Sequence, residues 1–123
     1  MSAQQLMKLI LWVGASKRDL QKMPINVQKG FGHSLREIQK GKDPGNTKRL
    51  KHFQEPISEI ILDEREGTFR VAYTVEFKEV VGVLHVFQKK SKKGIATPKQ
   101  EMDLILQRYK QAKIDYCEWR KER

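Results

Sequence analysis

Several kinds of chemistry are missing from this 123-residue chain before any fold is considered. It has one cysteine, Cys117, so no intramolecular disulfide can form, as suits a reducing cytoplasm. Cys117 lies in a helical pattern with no histidine nearby in sequence and reads as a packing or surface residue. Three histidines, His33, His52 and His85, are scattered, and no pair has metal-ligand spacing; no metal site and no cofactor is expected. There is no Gly-rich phosphate loop and no serine nucleophile signature. No apolar run approaches the length of a membrane span, so no membrane partner is expected. Acidic residues are scarce beside basic ones: 15 Asp and Glu against 25 Lys and Arg, a formal net charge of +10.

What is present is a foldable composition. The chain is 38% hydrophobic and 33% charged, enough apolar surface to offset chain entropy. Its length suits a single domain over residues 1–123, with the core spanning about 6–116. The cationic excess costs self-repulsion and points to an anionic partner, nucleic acid first.

The hydropathy pattern gives an element order. "LMKLILWVG" (residues 6–14) is a short apolar run closed by Gly. It faintly resembles a signal peptide, but its weakly charged start favours a buried first strand. "SKRDLQKMP" (16–24) predicts a short helix. Val27, Phe31, Leu35 and Ile38, at spacings of three and four, predict a second one, ended by the turn "GKDPGN" (41–46). "TKRLKHFQEP" (47–56) reads as a basic connection. "ISEIILDE" (57–64) reads as a strand. In "TFRVAYTVEF" (68–77), Phe69, Val71, Tyr73, Val75 and Phe77 alternate with polar or small residues, which predicts a half-buried strand with Arg70 on the other face. "VVGVLHVF" (80–87) is apolar throughout, as in a strand buried on both faces. From Pro98, Met102, Ile105, Leu106, Tyr109, Ala112 and Tyr116 form a helical stripe, and the charged "EWRKER" end is expected to fray. The expected class is α+β: an N-terminal strand and helical hairpin, an antiparallel three-stranded meander and a C-terminal helix. The first strand joins the sheet, and the helices pack on one face.

Basic groups concentrate at three places. Lys48, Arg49 and Lys51 precede the meander. Arg70 stands in its middle strand. Lys89, Lys90, Lys92 and Lys93, four lysines within five residues, follow its last strand. In a meander the end of the third strand lies near the start of the second, so Lys89 and Lys90 can approach Arg70. Such a surface seats a phosphate backbone. The plainer readings are a solvated loop for Lys92 and Lys93, and a structural salt bridge from Arg70 to Glu59 or Glu76. His85, within an apolar strand, reads as packed and hydrogen-bonded. His52 faces either a phosphate or solvent. Tyr73 falls with the core set. If the site does chemistry, cations around a phosphate suit RNA cleavage by its own 2′-hydroxyl. Arg and Lys would stabilise the charge that develops, and a lysine among cations can serve as base.

Three stretches, "LWVGASKRDLQKMP", "FRVAYTVEF" and "VLHVFQKKSKKGIATPKQEMDL", resemble the phage-derived, HigB-like branch of the RelE/ParE toxin superfamily, across residues 9–112. The resemblance implies the toxin of a type II toxin–antitoxin module, a cytoplasmic mRNA endoribonuclease working at the ribosome and neutralised by a cognate antitoxin of helix-turn-helix type. By position it implies functional roles for Lys48, Lys51, Arg70, Lys89 and Lys90; with the charge pattern, Arg70, Lys89 and Lys90 are expected to be catalytic, and Lys48, Arg49, Lys51, Lys92 and Lys93 are expected on the RNA. A tyrosine that RelE carries near the start of the last helix has no counterpart in "GIATPKQ", so that role is vacant or falls to a lysine. The superfamily also holds ParE-like gyrase inhibitors, and a non-catalytic nucleic-acid-binding module on the same fold is the remaining alternative.

Overall fold

A computed structural model describes residues 7–89 and 97–123. The element order is β1 (Leu9–Trp12), α1 (Ser16–Gln21), α2 (Ile25–Gln39), β2 (Thr47–Arg49), β3 (Ser58–Glu64), β4 (Gly67–Thr74), β5 (Val80–Lys89) and α3 (Lys99–Lys121). The class is α+β, with a C-terminal helix.

The sheet is larger than the expected three-stranded meander. It is mixed and five-stranded, in the order β1-β5-β4-β3-β2. Within it β3, β4 and β5 are successive antiparallel neighbours, and β1 lies parallel to β5, with Leu9 beside Val80 and Trp12 beside Val83. The extra edge strand is β2, from the segment expected to be a connection. Three residues are too few to show a period of two. They pair antiparallel with β3, Lys48 opposite Glu59.

Helices cover both faces of the sheet, which corrects the expectation of one. On one face Val27, Phe31, Leu35 and Ile38 of α2 pack on Ile60, Phe69, Val71, Tyr73, Val81, Val83 and Val86. On the other, Ile105, Tyr109 and Ala112 of α3 pack on Ala72, Leu84 and Phe87. Strand β4 is therefore buried along all eight residues rather than on one face only. The register slips between Ala72 and Tyr73, and across the slip both Leu84 and His85 of β5 face α3.

The "EWRKER" end does not fray where expected, since α3 runs to Lys121. Trp119 packs on the core beside Tyr116, and Tyr116 stacks on Phe77 with ring centroids 4.6 Å apart. The Tyr109 and Tyr116 hydroxyls donate to Glu76 and Glu79, tying the helix to the β4–β5 connection. Near its middle α3 approaches Gly14 (φ +57°), where an added Cβ would stand 2.7 Å from Arg108 Nε. Among the described residues no helix is long and apolar enough to cross a membrane.

Candidate nucleic-acid interface

The face under α3 carries a polar row through its apolar core. Successive strands place Lys48 opposite Glu59, Glu59 opposite Ala72, and Ala72 opposite His85. Ala72 is small, and Arg70, two residues away on the same face, sits beside the gap it leaves. Burying a charge is costly without a partner. The structure provides one: Arg70 Nη1 donates to Glu59 Oε1 at 3.1 Å, the ion pair weighed against a catalytic role. Thr97, just before α3, joins both. Its hydroxyl accepts from Arg70 Nη1 at 3.1 Å and donates to Glu59 Oε2 at 2.9 Å. Arg70 is 3% exposed and Glu59 0%. Burial pushes the Glu59 carboxyl above its ordinary range, against the opposing pull of the Thr97 hydroxyl, the Arg70 guanidinium and the Lys48 charge.

His85 closes the row. Its Nε2 lies 2.7 Å from Glu101 Oε1 in the first turn of α3, and its ring stacks on Phe87. It is packed and hydrogen-bonded, as its apolar strand implied. Nδ1 is buried and finds no hydrogen-bond partner among the described residues.

Beside the row a cleft of about 150 Å³ opens, lined by Lys48, Arg49, Leu50, Lys51, His52, Thr97 and Met102. Thr97 thus joins the cleft to the buried Arg70–Glu59 pair. Three residues expected on RNA, Lys48, Arg49 and Lys51, meet here, and His52 joins them. Arg49 also reaches away, donating Nη2 to the Glu55 carbonyl at 3.1 Å. Lys89 pairs with Thr68 and Phe87 pairs with Arg70, so Lys89 lies one strand over and two residues along from Arg70, half-buried at the end of β5. Lys90, Lys92 and Lys93 lie outside the described residues. Among the described residues no group of three or more His, Cys, Asp or Glu could hold a metal ion.

Two members of this neighbourhood had little sequence signal. Thr97 reaches Glu59 across 38 residues, and Glu101 reaches His85 across 16. The available hint was negative: Glu59 interrupts an apolar strand as Arg70 does, and two opposite charges at core positions call for each other.

The described residues thus form an α+β fold with a mixed five-stranded sheet, a helical hairpin after its first strand and a basic cleft beside a buried arginine. Residues 18–110, most of the chain, match the family model described as phage-derived protein Gp49-like. The chain belongs to that family, a RelE-like toxin family. No curated protein matches it.

Proposed function

We propose that this protein is the toxin of a type II toxin–antitoxin module, of the HigB-like branch, and that it cleaves mRNA at the ribosome in the cytoplasm without a metal. The observation that carries this reading is the cleft formed by Lys48, Arg49, Lys51 and His52, joined through Thr97 to Arg70 on the central strand. Phosphates of single-stranded RNA seat on the lysines. As the 2′-hydroxyl attacks, charge grows on the phosphate oxygens, and an arginine fork can stabilise it. In the free protein its Nη1 lies on Glu59 and Thr97, so RNA engages that nitrogen by displacing the Thr97 hydroxyl. Lys89 or Lys90 supplies acid–base work or a second phosphate contact. A cognate antitoxin, of helix-turn-helix type, neutralises the toxin.

One observation favours a second reading. Arg70 and Glu59 form a buried ion pair, which suits a structural role and a non-catalytic nucleic-acid-binding module on the same fold.

Induced expression followed by mapping of mRNA 5′ ends tests the first reading, with gyrase supercoiling assayed in parallel. Discrete new 5′ ends within codons of translated messages, lost in the Lys48→Ala/Lys51→Ala variant, are expected. Growth arrest with intact messages and inhibited supercoiling would move the protein to the ParE-like side. Neither effect, with RNA still bound, would leave the binding module.

A further inference from the structure

β2 is an edge strand of three residues, and alternation sends its Lys48 and Arg49 to opposite faces of the sheet. A basic cleft lies on each side of this strand. The first is the 150 Å³ cleft already described. The second opens on the α2 face and measures about 380 Å³. Lys42 and Asp43 of the turn after α2 bound it, with Thr47 and Arg49 of β2, and Ser58 and Tyr73 contribute to its lining. Arg49 lines both clefts.

The second cleft has cations at its rim and hydroxyls inside. Lys42 and Arg49 are exposed, whereas Tyr73 is buried. Tyr73, Thr47 and Ser58 all line the cleft, and burial pushes the Tyr73 phenol upward, so it stays a neutral group able to donate and to accept. Asp43, the acid at this rim, is engaged by neighbours: its Oδ1 accepts from the Gly45 N–H at 2.8 Å and the Thr47 hydroxyl at 3.4 Å, and its charge adds a smaller upward push on the Tyr73 phenol. The Arg49 bond to the Glu55 carbonyl engages Nη2, and a guanidinium carries five N–H donors in all. The volume falls within the roughly 300–1,000 Å³ of small-ligand sites. Cations outside and hydroxyls within match a nucleotide, phosphate at the rim and base edge at the floor.

We propose that single-stranded RNA crosses the β2 edge, its backbone on Lys48, Arg49 and Lys51, and that one base enters the second cleft, where the hydroxyls of Thr47, Ser58 and Tyr73 read its edge. This rests on the reading that the chain binds RNA, and it deepens that reading by placing base selection on the face of the sheet opposite the Arg70 pair.

The test is fluorescence anisotropy with 5′-fluorescein-labelled 12-nucleotide oligo(A), oligo(C) and oligo(U) over a range of salt. The wild-type protein is expected to prefer one of the three. Tyr73→Phe should lose about 2- to 12-fold for the preferred oligomer only, with an unchanged salt slope. Ser58→Ala, at the margin of the cleft, should act in the same sense and stands in for Tyr73→Phe should that variant fail to fold. Arg49→Ala should weaken all three and lower the slope of log K against log salt by about 0.7. Lys51→Ala should weaken all three and keep the preference. If wild type shows no preference, or folded Tyr73→Phe and Ser58→Ala both keep it, the subsite is wrong while RNA binding stands. If wild type binds none of the oligomers, the RNA reading itself fails and the subsite with it.

Discussion

The two faces of one sheet are built on different physics. Under α2, Phe31, Phe69, Val71 and Val83 make an apolar layer whose stability follows from area and packing. Under α3 the apolar layer is crossed by Lys48, Glu59, Arg70 and His85; Thr97, just before α3, bonds Arg70 and Glu59, and Glu101 in the first turn of α3 bonds His85. Both faces are buried, but the second is held by groups that are costly when any partner is lost. An apolar layer tolerates conservative change, whereas a polar row must be kept whole or replaced whole. The Arg70–Glu59 pair lies on the α3 face, beside the basic cleft.

The largest expected effect comes from breaking each face in its own way. Phe31→Ala should cost about 3–5 kcal/mol by urea denaturation, through lost burial and a residual cavity. Glu59→Ala should cost a similar amount, about 3–5 kcal/mol, because it leaves the Arg70 charge buried without its carboxylate. The two losses differ in how they are repaired. Replacing the pair together, Glu59→Leu with Arg70→Met, should return stability to within about 1 kcal/mol of wild type or exceed it. That double variant also separates the roles of Arg70. If it folds and no longer generates mRNA 5′ ends, Arg70 acts on the phosphate. If it folds and cleaves as before, the pair is structural. A double variant as unstable as Glu59→Ala would show that the α3 face is not a polar row in an otherwise ordinary core.

Arg70 was legible in the sequence for the reason that makes this experiment possible: a permanent charge inside an apolar alternation is out of place. Alternation did not reveal that α3 would cover that charge. Thr74 and Ala72 look solvent-facing in a strand pattern, yet both are buried. The stripe of α3 announced a packing face without saying which side of the sheet it would take. The sheet's width was hidden for another reason. β2 has three residues, two of them cationic, and it exists through pairing with β3 rather than through any pattern of its own. The helical hairpin, with its apolar spacing and its closing "GKDPGN" turn, was legible because local signals agreed at each step. Of the lysine run after β5, Lys89 alone is among the described residues.

A smaller effect sharpens the comparison at the edge of the row. Glu101→Ala removes the carboxylate beside His85 Nε2 and leaves an imidazole whose Nδ1 already has no hydrogen-bond partner among the described residues. The expected cost is about 1–3 kcal/mol, read as a lowered denaturation midpoint with an unchanged m-value. Glu101→Gln retains an acceptor and should lose less. Substitution of Ile38, at the far end of the α2 face, by Val should cost only about 0.5–1.5 kcal/mol, since it trims one methylene and orphans nothing.

The smallest effect is also the most specific to the polar row, because it appears as a change of pH dependence. Burial holds the folded-state pKa of Glu59 above its ordinary value. The folded protein therefore binds that proton more tightly than the unfolded chain does. Its contribution to stability is then fully present below the ordinary carboxylate range and is lost as pH rises through the folded-state value. Glu59→Gln should remove this component, so the stability of wild type relative to Glu59→Gln should decline with rising pH across that window. Lys48, directly opposite on β2, favours the ionised carboxylate and pulls the pKa back down. Lys48→Ala should let it climb further, widening the window and steepening the decline. Lys48 is exposed, so the change at neutral pH should stay within about 0.2–1 kcal/mol and shrink in high salt. Denaturation curves at several pH values, in low and high salt, would read it. An unchanged pH profile in Lys48→Ala would place Lys48 outside the row, as a surface charge available to RNA alone.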